Sequence, residues 1–207
     1  MTSEPNAPQA SRLERLWSSD FGDQYVDRNA ALDPGRGKFW AEIMAETSPR
    51  NVLEVGCNLG GNLAHIANHI DAVHIYGVDV NTKALRTLRG SLPDVNAVHS
   101  LARCLPFRDR MFDLVFTTGV LIHQPDSTLP LVMAEVVRCS NRYVLAGEYY
   151  SVETVEVGYR GETGALFKRD YGQLYQEYCP ELRLLRKGFL SKDEGWDDVT
   201  FWLFERD

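Results

Sequence analysis

The chain has 207 residues, 44% hydrophobic and 25% charged, a balance that supports a buried core and excludes a disordered chain, a collagen-like repeat and a coiled coil. Its 29 Asp and Glu against 22 Lys and Arg leave a formal charge of -7, so the surface repels phosphate backbones and anionic membranes, and neither is expected as a partner. No apolar run approaches the ~20 residues that cross a bilayer, and the scattered Cys57, Cys104, Cys139 and Cys179 fit no zinc or disulfide spacing, which reads as a reduced, cytoplasmic protein.

The opening MTSEPNAPQA is polar and lacks a signal-peptide pattern, so a frayed tail is expected there. Residues 1–34 read as a tail and lid segment and 35–207 as one domain, with 148–180 capping its substrate side. Trp17, Phe21, Tyr25 and Arg28 form either a lid over a ligand or an amphipathic helix packed on the fold. Residues 36–47, after Asp33-Pro34-Gly35, place Phe39, Trp40, Ile43 and Met44 at helical spacing.

Strand and helix patterns then alternate. Asn51 to Val55 reads as a buried strand and Gly60 to Ile70 as a helix. His74 to Asp79 is a second strand, followed by a helix from Asn81, its N-cap, to Gly90. Val95 to Ser100 is short and strand-like, Phe112 to Thr117 is a strong strand, Leu129 to Cys139 is helical, and Arg142 to Ala146 is a strand again. This order predicts a doubly wound α/β fold around a mostly parallel seven-stranded sheet. Leu182 to Phe189 and Val199 to Phe204 are strand-like with only about ten residues between them, too few for a parallel crossover, so a reversed C-terminal edge strand is expected.

Motif chemistry begins at Glu54-Val55-Gly56-Cys57-Asn58-Leu59-Gly60-Gly61-Asn62, a strand entering a small-residue turn and then a helix. Such a turn lets a ligand approach the backbone. The dinucleotide fingerprint G-x-G-x-x-G is absent, since Asn58 stands at its second glycine. Asp79 ends the next strand, where an acid can accept hydrogen bonds from both hydroxyls of a ribose. His65 and His69 are four apart, but no third ligand accompanies them, and no metal site is expected.

Glu-x-Gly at the first turn, Asp79, Phe112-Asp113-Leu114-Val115 and the terminal hairpin together resemble the class I S-adenosylmethionine-dependent methyltransferases, over roughly residues 36–207. The resemblance implies that Glu54, Gly56, Asn58 and Gly60 hold the methionine portion of S-adenosylmethionine, with Thr118 beside them. It places Asp79 on ribose and Val80 against adenine. Where the family often has Asp-Ala, this chain has Ser100-Leu101-Ala102, leaving adenine to backbone groups and to Leu101 and Ala102. If the N-terminal segment is a lid, Tyr25 and Arg28 contact the cofactor, with Arg28 pairing its carboxylate. Phe21 to Asn29, Thr118 to His123, Leu166 to Gly172 and Asp197 to Leu203 are similar to the methylases associated with pseudaminic acid biosynthesis, which implies a setting in sugar metabolism.

The acceptor side has its own signals. Six of the nine tyrosines fall between positions 149 and 178, with five acids against three bases. Aromatic faces beside carboxylates suit a polar or cationic small molecule. Tyr149, Tyr150, Lys168 and Arg169 are candidate substrate contacts, whereas the spacing of Tyr171, Tyr175 and Tyr178 fits a helix packed on the core. His123 reads equally as a proton acceptor and as a residue closing the cofactor pocket; Glu148 is the alternative base. The reading is a methyltransferase acting on an oxygen or nitrogen of a small polar metabolite, a sugar or nucleotide sugar or an amino or guanidino compound. A nicotinamide-dependent oxidoreductase and a non-catalytic S-adenosylmethionine-binding protein are the alternatives.

Overall fold

The computed structural model describes residues 7–28 and 34–207. The first six residues of the polar opening and residues 29–33, Asp33 among them, lie outside the described residues.

Helices α1 (Ala7–Trp17) and α2 (Asp20–Arg28) precede the sheet, and α3 (Gly37–Thr47) leads into it. Then follow β1 (Val52–Val55), α4 (Gly61–Ile66), β2 (Ile75–Asp79), α5 (Thr82–Ser91), β3 (Asn96–His99), β4 (Phe112–Thr118), α6 (Leu129–Cys139) and β5 (Ser140–Glu148). A two-stranded ribbon of β6 (Val155–Glu156) and β7 (Phe167–Lys168) leads to α7 (Tyr171–Tyr178), and β8 (Leu182–Leu190) and β9 (Val199–Arg206) complete the chain.

The seven-stranded sheet runs β3-β2-β1-β4-β5-β9-β8, parallel from β3 to β5. The reversed strand is β9, antiparallel to both β5 and β8, so it lies one strand in from the edge that β8 forms. Both faces are covered, which is why the strands read as unbroken apolar runs. On one face Trp40 of α3, Leu63 of α4 and Leu88 of α5 pack on Val52, Leu114 and Phe116. On the other, Val132 and Val136 of α6 and Tyr171 and Tyr175 of α7 pack on Leu53, Val115 and Val144.

Local chemistry sets the helix ends. Asn81 caps α5 by accepting from Ala84 N at 2.9 Å. The helix expected to reach Ile70 stops at Ile66, so His69 lies beyond α4 and shares no helix face with His65. The helix that carries Tyr171, Tyr175 and Tyr178 starts at Tyr171, where Asp170 caps the first turn by accepting from Gln173 N at 3.0 Å. Tyr171 and Tyr175 are both fully buried, the packing role that their spacing implies, whereas Tyr178, expected with them, is exposed at the end of the helix.

Gly172 marks the closest approach of α7 to the sheet: a Cβ there would meet the Trp202 ring at 2.2 Å. Alanine in a helix ordinarily gains about 1 kcal/mol over glycine. Here overpacking against a fully buried indole reverses the sign, and Gly172→Ala is expected to destabilise by about 1–3 kcal/mol in urea denaturation.

Candidate active site

The carboxyl ends of β1, β2 and β4 open onto one cavity of about 590 Å³. Its floor is the turn after β1, where Gly56 (φ 77°), Asn58 (φ 46°) and Gly60 (φ 78°) all take left-handed backbone. Gly56 is needed for closeness as well, because a Cβ there would sit 2.3 Å from Val120 Cγ2. Asp79 accepts from Asn58 N on one carboxylate oxygen and from Asn81 N on the other, both at 2.8 Å. Burial raises its pKa, and these backbone bonds oppose the rise. Val80, Leu101 and Ala102 add an apolar wall.

A second acid stands at the end of β1. Glu54 is buried; Oε1 accepts from Asn62 Nδ2 at 2.7 Å and from Thr118 Oγ1 at 3.3 Å, and Oε2 has no partner among the described residues. Burial pushes its pKa up to about 8 against the pull of Asn62, Arg36 and Thr118. Asn62 Oδ1 in turn accepts from Trp40 Nε1 at 3.2 Å and Arg36 Nη1 at 3.3 Å. Arg36 donates to Gly195 O at 2.8 Å, and its guanidinium lies 4.5 Å from the Trp196 ring centroid. The cavity thus carries a cation and an acid joined through one amide.

The opposite wall is aromatic. His123 ends a 3-10 turn at Leu121–His123. Its Nδ1 lies 2.6 Å from Ala165 O, which only accepts, so Nδ1 carries the proton and Nε2 the lone pair. Burial lowers the ring's pKa to about 4 and keeps it neutral. Trp17 at the end of α1 packs 4.4 Å from the His123 ring and Tyr159 packs 5.4 Å from it. Trp17 and Tyr25 both line the cavity. The two N-terminal helices are held there by Asn81 Nδ2 on Trp17 O (3.1 Å) and on Asp23 (2.9 Å), and by the pairs Arg12–Glu162, Arg103–Glu14 and Lys83–Asp27.

The structure gathers Glu54, Gly56, Asn58, Gly60, Asp79 and Thr118 around this cavity, together with Val80, Leu101, Ala102, Tyr25 and His123. Other expected site residues lie elsewhere. Arg28 is exposed on α2, its guanidinium 5.9 Å from the Tyr25 ring, and does not line the cavity; Arg36, Lys83 and Arg103 do, and of these Arg36 is joined to Glu54 through Asn62. Glu148 is fully buried outside it, accepting from Thr117 Oγ1 at 2.9 Å and from Val120 N and Ile122 N at 3.3 Å. It holds the turn that carries His123, and no face of it is open to a substrate. Tyr150 packs against Trp202 and Lys187, and Lys168 lies 5.8 Å from the Tyr149 ring. Arg169, 3% exposed, is tied to Gln124 O and Asp126. None of these four lines the cavity.

A family model described as a methyltransferase domain matches residues 52–142. The chain is 29% identical over 130 residues to an uncharacterized methyltransferase of Synechocystis, covering 60% of each. It is 32% identical over 95 residues to a phthiotriol/phenolphthiotriol dimycocerosates methyltransferase of Mycobacterium ulcerans, covering 45% of this chain and 34% of that one. It therefore spans less than two thirds of the length of these curated relatives. Among solved structures, the 1,6-didemethyltoxoflavin-N1-methyltransferase of Burkholderia thailandensis, with 1,6-didemethyltoxoflavin and S-adenosylhomocysteine bound, superposes with a TM-score of 0.71 at 14% identity, over 100% of this chain and 91% of that one. The magnesium protoporphyrin IX methyltransferase of Synechocystis with bound S-adenosylhomocysteine gives 0.69 at 13% identity, over 95% and 99%. These likenesses show the fold, the Rossmann-like arrangement of class I methyltransferases.

Glu148 gives the cavity wall a pH dependence. Burial raises its pKa from 4.5 to about 7 although a hydroxyl and backbone N–H groups stabilise the charge. The folded state therefore holds a proton that the unfolded chain releases, so this group's contribution falls as pH rises from about 4.5 to 7. The Glu148→Gln variant lacks that loss, and its stability relative to wild type is expected to improve by about 3 kcal/mol between pH 5 and pH 8 in chemical denaturation.

Proposed function

We propose that this chain is an S-adenosylmethionine-dependent methyltransferase that modifies an oxygen or nitrogen atom of a small molecule. The observation that carries the reading is one cavity holding a buried strand-end carboxylate, Asp79, together with Glu54 and Arg36, which Asn62 joins. The cofactor meets its match in each part. Asp79 uses one lone pair of each oxygen on Asn58 N and Asn81 N, leaving others for two ribose hydroxyls. Arg36 pairs the amino-acid carboxylate, and the free Oε2 of Glu54 receives the ammonium. Val80 and Leu101 pack on adenine, and the Gly56 backbone, with no room for a Cβ, runs beside the methionine portion.

When bound, the cofactor supplies a sulfonium methyl group open to in-line attack. The chain's own residues align the attacking atom with it and exclude water. Trp17 and Tyr25 close the cavity from the N-terminal side, and His123 Nε2 accepts a hydrogen bond from the acceptor. Similarity to the pseudaminic acid-associated methylases favours a sugar or nucleotide-sugar hydroxyl, and the acidic, tyrosine-rich stretch from 149 to 178 favours an amino or guanidino nitrogen. Tyr149, Tyr150, Lys168 and Arg169 lie outside the cavity, which weakens the second ground. A dehydrogenase would be expected to carry the G-x-G-x-x-G turn, which this chain lacks.

Calorimetric titration with S-adenosylhomocysteine tests the assignment. Asp79→Ala, which removes two charge-assisted hydrogen bonds to the ribose, is expected to weaken binding by about 10- to 100-fold or more. Asp79→Asn, which keeps an acceptor oxygen for one of the two turns, is expected to lose less. Equal affinity in wild type and both variants rejects the ribose assignment.

A further inference from the structure

The cavity has a region that the nucleoside-holding residues do not account for. Its walls are the rings of Trp17, Tyr25 and His123, and Phe21 and Tyr159 back them from outside the lining: Trp17 lies 5.4 Å from both Phe21 and Tyr25, and Tyr159 lies 6.1 Å from Phe21 and 5.4 Å from His123. Two polar atoms stand in this aromatic surround. Trp17 Nε1 is a buried donor without a partner among the described residues, a group that costs free energy unless something accepts from it. His123 Nε2 is an acceptor, because Ala165 O fixes the proton on Nδ1.

Resting on the methyltransferase reading, we infer that the acceptor is a planar ring bearing a weakly acidic O–H or N–H, a phenol or an N-heteroaromatic compound, seated among Trp17, Tyr25 and His123. It places its O–H or N–H on His123 Nε2 and accepts from Trp17 Nε1. The ring faces and edges of Trp17 and Tyr25 suit a planar partner, and Gln124 and Asp197 line the same cavity.

The state of His123 points the same way. Burial leaves it neutral, able to accept a hydrogen bond and slow to keep a proton. An alkylammonium has no lone pair until it loses a proton that such an imidazole does not take. A sugar hydroxyl has the lone pair but is a far weaker acid than a phenol, whose pKa is about 10. In the transfer, the acceptor oxygen or nitrogen forms its new bond to the methyl carbon, and the methyl–sulfur bond breaks with its electron pair left on sulfur. The proton of the acceptor passes to His123 Nε2, and the imidazolium, which burial disfavours, gives it up to solvent as the product leaves.

The test uses the full chain saturated with S-adenosylhomocysteine, with 4-nitrophenol and 2-hydroxypyridine as chromophoric probes, and UDP-glucose and agmatine as the alternatives. Saturable difference absorption is expected with the planar probes, undisturbed by UDP-glucose or agmatine. Trp17→Phe, which keeps an aromatic ring and removes the donor, is expected to weaken probe binding by about 3- to 10-fold. If calorimetry first shows that S-adenosylhomocysteine does not bind, the methyltransferase reading itself falls. If it binds while the planar probes do not, or they bind Trp17→Phe as tightly as wild type, or UDP-glucose or agmatine displaces them, the acceptor assignment is overturned.

Discussion

One carboxylate ties together the two turns on which the cavity rests. Asp79 takes a backbone N–H from the turn after β1 on one oxygen and another from the turn after β2 on the other. The left-handed Asn58 and the start of α5 are thereby set at a fixed separation. Asn81, held by the same carboxylate, spends its side chain in both directions: its oxygen caps α5 and its amide nitrogen reaches the Trp17 carbonyl and Asp23. The floor, the first helix beyond it and the N-terminal cover are all positioned from this one point. Burying the charge is unfavourable, and the backbone donors offset that cost.

The two glutamates at strand ends divide the remaining work. Glu54 and Glu148 are both buried, and both are pushed toward neutrality. They differ in what is left over. Both oxygens of Glu148 are occupied by Thr117 and by the turn that carries His123, so it serves as scaffold. Glu54 keeps one oxygen without a partner, beside Asn62 and within the field of Arg36. A buried polar atom left unpaired in this way is costly, and it marks the place where a ligand completes the structure.

The alternation of apolar runs and helical spacing was legible along the chain, because each strand is covered on both faces and each helix on one. The same continuity hid which face a strand-end side chain takes. Glu54 alternates with Leu53 and Val55, which pack under α6 and α7, so it faces α3 and α4, where Arg36 and Asn62 lie. Glu148 has the parity of Val144 and Ala146 and turns the other way. Choosing between them requires the topology as well as the pattern. Arg36 was missed for a related reason. Its place depends on Gly195 and Trp196, 159 residues or more along the chain, and a Pro-Gly-Arg opening a helix carries no sign of them. Asn62 could have been noticed as the one large polar side chain following Gly60-Gly61. Tyr149 and Tyr150 follow the end of β5, where ligands gather, yet Tyr150 is drawn to the exposed side by Lys187 and Trp202.

The N-terminal helices contribute to both halves of the cavity, Asp27 paired with Lys83, Tyr25 within the field of Arg36 and Trp17 over His123. Three partly exposed ion pairs latch them, and such pairs are worth at most about 1 kcal/mol each and weaken with salt. On the proposed reading a nucleoside and its neighbour would share this cover, so ionic strength that loosens its latches would be felt by both.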